Sequence, residues 1–189
     1  MRKVLYFVIA AAFCMRICPL HADPLRFDSM TRGQREITLL MGYGENHKIP
    51  DATKDRFSFD TVKLRYGIFT SPRTQLAANL SYGDLQGSSS DNSALWTTGS
   101  YRRYFLVRGQ SALGYDFSIG IMHFKDSIAQ QGTRTNFTEQ LGLTFQHSTS
   151  SNSAFTIEYV FSHTSNAGIK LPNLGVNASM IALGYSWFR

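Results

Sequence analysis

Apolar residues recur at every second position in segment after segment of this 189-residue chain. The sets Ile37/Leu39/Met41/Tyr43, Val62/Leu64/Tyr66/Ile68, Leu76/Ala78/Leu80/Tyr82, Tyr115/Phe117/Ile119/Ile121, Leu141/Leu143/Phe145, Phe155/Ile157/Tyr159/Phe161 and Ile181/Leu183/Tyr185/Trp187 each define one face of an extended strand. The residues between them are small or polar, as in Thr61/Lys63/Arg65/Gly67 and Thr138/Gln140/Gly142/Thr144/Gln146. The pattern predicts an all-β fold of eight strands near 35–45, 56–69, 75–86, 93–107, 112–125, 136–147, 153–163 and 177–188. Only the fourth, around Trp96 to Val107, has no clear parity.

The connections between these segments run 10, 5, 6, 4, 10, 5 and 13 residues, alternating long and short. Tight turns at one end and longer loops at the other are the pattern of an eight-stranded antiparallel transmembrane β-barrel. An even strand number then puts both termini in the periplasm and the 164–176 loop outside. The final Tyr185-Ser186-Trp187-Phe188 is similar to the aromatic last strand of such barrels, although Arg189 follows it. The rival architecture is a soluble eight-stranded barrel of lipocalin type, holding an apolar ligand inside. Its lumen would have to accept Lys63 and Arg65, costly against an apolar ligand and ordinary in a hydrated pore, and its outside would be too apolar to meet water.

Residues 1–22 read as a secretory signal peptide: basic Met1-Arg2-Lys3, an apolar run from Val4 to Met15, and a cleavage site at Leu20-His21-Ala22. The run is too short for a membrane-spanning helix, which needs about 20 apolar residues. The barrel is then expected over 23–189, in the outer membrane of a Gram-negative bacterium. Cys14 and Cys18 leave with the signal, so no disulfide or cysteine metal site is expected. Loss of Arg2, Lys3 and Arg16 takes the formal charge from +6 to +3, which is no footprint for nucleic acid.

One polar pair interrupts the apolar parity of the seventh strand. His163 and Ser165 share the odd numbering of Phe155 to Phe161, so both side chains are expected on the outer wall near the external rim. There the neighbouring molecules would be outer-leaflet lipids, and a polar group without a partner is penalised. A histidine beside a serine can act as general base to a hydroxyl nucleophile, an ester-cleaving pair. The plainer alternative is a strand that simply ends in polar residues.

The surrounding residues carry a resemblance. His163-Thr164-Ser165-Asn166-Ala167-Gly168 with Pro172-Asn173-Leu174-Gly175, and more thinly Met41-Gly42-Tyr43-Gly44 and Leu64-Arg65-Tyr66-Gly67, resemble the lipid A 3-O-deacylase family of outer-membrane eight-stranded barrels. The resemblance implies hydrolysis of the ester-linked 3-hydroxyacyl chain at position 3 of lipid A in lipopolysaccharide, with Ser165 as nucleophile and His163 as base. It also implies a glutamate 14 positions after the histidine, where this chain has Asn177.

A tetrahedral oxyanion needs fixed donors. The backbone N–H of Asn166 and the side-chain amide of Asn173 are candidates, with Asn173 alternatively a turn residue after Pro172. Asn177 shares the outward parity of Ile181 and can accept the histidine N–H, but brings no charge to an imidazolium. Glu139 offers the missing carboxylate: paired indices summing to about 302 across the 148–152 turn set it opposite His163. It reads more readily as a solvated residue near a loop.

Glu158 has lumen parity and is expected to pair with Lys63 or Arg65. Lys48, Lys54, Arg134 and Lys170 lie in outside loops, where they could meet lipid A phosphates, but they are interleaved with Asp51, Asp55 and Asp126, which dilutes the signal. His47, His123 and His147 have no partner at ligand spacing, so neither metal nor cofactor is expected. The residues, with the resemblance they carry, imply an outer-membrane serine esterase acting on lipid A. A non-catalytic barrel that has lost the family glutamate is the alternative, and a homodimer stays open.

Overall fold

The computed structural model of the protein describes residues 23–47, 56–87 and 92–189; the expected signal peptide at 1–22 lies outside them, as do Lys48 and Lys54. Eight antiparallel strands, β1 (Arg35–His47), β2 (Phe57–Ser71), β3 (Thr74–Gly87), β4 (Asn92–Arg108), β5 (Ser111–Phe124), β6 (Thr135–Ser150), β7 (Ser153–Ser165) and β8 (Val176–Phe188), follow chain order around a closed barrel. Closure is made by β1 against β8, in the register Met41↔Leu183. With 13 to 17 residues, β1 and β4 both exceed the roughly 9–11 that a tilted strand needs to cross a bilayer. The outer wall carries the expected apolar set, including Leu39, Leu64, Leu80, Phe117, Leu141 and Ile181, all exposed.

β4 resolves its own ambiguity. Ala94, Trp96, Ser100, Arg102 and Tyr104 point inward, and a register shift between Tyr104 and Leu106 lets Phe105 and Leu106 both face out. Bulky residues on both faces, followed by a bulge, erase a period-two signal.

Charge fills the middle of the lumen. Glu158 takes hydrogen bonds from Lys63, Arg65 and Arg102; Asp116 takes them from Arg65, Arg102 and Thr144; Glu36 takes them from Thr38, Gln75, Gln146 and Ser186. Three cations thus meet three carboxylates, and this pairing offsets the cost of burying charge so deeply. The two ends of the lumen are not polar, against the simple polar-inside expectation. Towards the long loops, Leu85, Ala94, Trp96 and Phe124 cluster with Phe57 and Met122.

At the opposite end, two-residue turns at 72–73, 109–110 and 151–152 join the hairpins. The segment before β1 folds across this end, with Leu25 N–H donating to Ser150 O (2.8 Å), Phe27 N–H to Gly109 O (2.7 Å) and Gly33 N–H to Phe69 O (2.8 Å). Phe27 and Met30 are thereby buried with Phe69, Tyr104 and Phe188 as an apolar plug.

Candidate active site

β7 ends at Ser165 and β8 begins at Val176, so both arms of the candidate site flank the 166–175 loop at the long-loop end of the barrel. Val176 is buried inside, which turns Asn177 to the outer wall. The β7–β8 register pairs it directly with His163, and the His163 Nδ1–H donates to Asn177 Oδ1 at 2.9 Å. That bond fixes the tautomer in which Nε2 keeps its lone pair. Nε2 has no hydrogen-bond partner among the described residues.

The imidazole rests over Gly175. This residue has φ +74°, and a Cβ built on it would lie 2.8 Å from His163 Cε1. Glycine is therefore required there both for backbone conformation and to leave room for the ring.

Ser165 is half-buried on the same outward parity, opposite Phe137 of β6. Its hydroxyl makes no hydrogen bond to His163. Glu139 does lie opposite His163, as hairpin geometry predicts. Its side chain is exposed and makes no hydrogen bond among the described residues. Of the two expected partners, Asn177 is the one in contact with the imidazole.

Asn166 departs from expectation. Its backbone N–H, a candidate oxyanion donor, instead donates to Asn173 Oδ1 at 3.0 Å. Its side chain is fully buried and also committed, accepting from Gly168 N–H (3.0 Å) and donating to Lys170 O (2.6 Å). Asn166 is the organiser of the loop, holding Ala167 (φ 53°) and Gly168 (φ 77°) in two consecutive left-handed conformations. Because Asn173 spends its oxygen on Asn166, its Nδ2 faces away and has no hydrogen-bond partner among the described residues. The same holds for the backbone N–H of Ala167.

A second loop, 125–134 between β5 and β6, clasps the first. Gly132 N–H donates to Pro172 O (2.6 Å) and Leu174 N–H to Gln130 O (3.0 Å), around a bridge between Gln131 and Asn173. Gln131 is buried and its Nε2 donates to Thr164 O at 3.3 Å. Gly132 admits no side chain, since a Cβ would come within 2.5 Å of Leu171 O. These residues escaped sequence reading because, Gln131 Nε2 aside, the clasp uses backbone groups that carry no side-chain signature.

The other histidines disperse around the barrel: His123 on Thr135 and His147 on Ser111. His47 is different, standing opposite Asn177 across the β1–β8 seam, bonded to Ser179 Oγ at 2.7 Å and stacked on Phe161.

No curated protein sequence matches the chain. The crystal structure of Neisserial surface protein A matches with a TM-score of 0.62 at 8% identity, covering 82% of this chain and 98% of that one. Outer membrane protein OprG from Pseudomonas aeruginosa gives 0.57 at 9%, covering 86% and 98%. The outer membrane enzyme PagL gives 0.57 at 15%, covering 79% and 97%. At such identities these likenesses show the fold. The family model described as lipid A 3-O-deacylase (PagL) matches residues 60–186, from β2 into β8, and the chain belongs to that family.

Proposed function

We propose that the barrel is an outer-membrane serine esterase that removes the 3-O-linked hydroxyacyl chain of lipid A, working on its outer wall at the external leaflet. In this reading Ser165 Oγ attacks the ester carbonyl while His163 Nε2 takes its proton. Asn177 Oδ1 holds the ring through Nδ1–H. The oxyanion is met by Asn173 Nδ2 and the Ala167 N–H, two loop donors without acceptors among the described residues, in place of the Asn166 N–H. His163 then returns the proton to the sugar 3-oxygen as it leaves, and water, activated by the same imidazole, releases the hydroxy fatty acid from Ser165. The observation that supports this most is the oriented imidazole, with its second nitrogen uncommitted, on an outward parity otherwise given to apolar residues.

A non-catalytic barrel is favoured by one observation, the neutral Asn177 where the family glutamate is expected. Mass spectrometry of lipid A from membranes carrying the wild type or Ser165→Ala separates the two. Loss of one hydroxyacyl chain with the wild type only supports the esterase; intact lipid A in both, with the barrel folded, supports the scaffold.

A further inference from the structure

Outside the site just described, an open groove of about 590 Å³ runs down the outer wall where β5, β6 and the two clasped loops meet. Ile121 and Phe137, both about half exposed, form its floor, and Ile169 of the 166–175 loop overhangs it. Arg134, Lys170 and His123 stand around its upper edge, and no carboxylate lines it. The Arg134 guanidinium donates one hydrogen bond to Lys125 O (3.2 Å), which tethers it at the rim and leaves its other N–H groups without an acceptor among the described residues. Lys170 is exposed and enters no ion pair among the described residues.

Position gives the groove its meaning. Phe137 pairs directly with Ser165, so the floor begins one strand away from the candidate nucleophile, about 5 Å across the sheet. Cations above and apolar side chains below match a lipid whose phosphate sits at the membrane interface and whose chains descend beside the barrel.

We infer that Arg134 and Lys170 bind a phosphate of the acylated glucosamine lipid, while Ile121, Phe137 and Ile169 seat an acyl chain next to the one removed. This rests on the deacylase reading for the identity of the lipid. The backbone clasp makes the subsite and the catalytic loop one unit: Lys170 lies within the loop that carries Asn173, and Arg134 closes the loop that holds it. Phosphate binding would then set the depth and rotation of the sugar relative to Ser165.

The test compares lipid A with its dephosphorylated form, using the full barrel in detergent micelles and folding checked by heat-modifiable gel mobility. KM for the phosphorylated lipid should be about tenfold lower in the wild type, the scale of charge-assisted contacts at a partly wet rim. In Arg134→Gln/Lys170→Gln that ratio should fall towards one. Retention of the ratio in the folded variant overturns the inference and leaves the deacylase reading standing. Binding of the same two lipids to Ser165→Ala reads the groove without turnover, so an inactive wild type would sink the deacylase reading alone. Competition by inorganic phosphate with no preference between the two lipids would overturn the lipid assignment.

Discussion

Replacing Asn177 by aspartate changes one atom type at the point where the imidazole is held. The two side chains are isosteric, so the carboxylate oxygen inherits the 2.9 Å contact with His163 Nδ1. A neutral hydrogen bond contributes about 1 kcal/mol and one to a charged group about 1.5–3. The gain also grows during the reaction, because the imidazolium formed as Ser165 loses its proton is attracted to the carboxylate. A bare pair about 4 Å apart would gain about 4 kcal/mol at an effective dielectric near 20, an upper limit for half-buried groups at a wet rim. A net 1–2 kcal/mol corresponds to roughly 5–30-fold in rate. Asn177→Asp is therefore expected to raise kcat for lipid A deacylation about tenfold, followed by mass spectrometry in reconstituted membranes. Asn177→Ala should lower it at least as much, and Glu139→Gln should leave it unchanged. If the aspartate variant folds and turns over no faster, charge at this position does not stabilise the imidazolium; if the folded alanine variant is as fast as the wild type, Asn177 does not orient the base. If Glu139→Gln is the variant that loses activity, the exposed carboxylate on β6 holds that role.

Two further substitutions probe the supports of the site and of the barrel. Gly175→Ala imposes a left-handed conformation worth about 1–2 kcal/mol of strain and drives a methyl into His163 Cε1, so deacylation should fall at least tenfold while the barrel still folds; unchanged activity would mean the ring is not seated on this glycine. Glu158→Gln leaves Lys63, Arg65 and Arg102 facing two carboxylates, and urea unfolding in micelles should show a loss of about 3–5 kcal/mol. An unshifted midpoint would mean that water or counter-ions neutralise the lumen.

Strand parity carried most of the architecture because it is written locally: Leu141, Leu143 and Phe145 announce an outer face without reference to any other strand. Register was also accessible where a tight turn fixes it, and so Glu139 fell opposite His163 as counted. Contact was not. Whether an exposed glutamate or a half-buried asparagine reaches the imidazole depends on where Gly175 lets the ring lie, which no spacing encodes. The plug of Phe27 and Met30 was missed because those residues precede the periodic region and meet Phe69, Tyr104 and Phe188 only after the strands have closed. The hydrogen bond that takes up the Asn166 N–H was illegible for a similar reason. Its N–H is reached by Asn173 from seven positions away, on a loop whose path is set by Gln130 and Gly132.

A lumen closed by Phe27 and crossed by the Arg102 ion network offers a lipid no way through, so the proposed esterase would have only the outer wall to work on. Such an enzyme does not meet its substrate from solution. It meets it in two dimensions, by lateral diffusion within a leaflet, so the governing concentration is a mole fraction of the membrane rather than a molarity. Diluting the lipid substrate with phospholipid then slows turnover even when its bulk concentration is held constant, and the packing order of the leaflet becomes as much a determinant of rate as any side chain of the barrel.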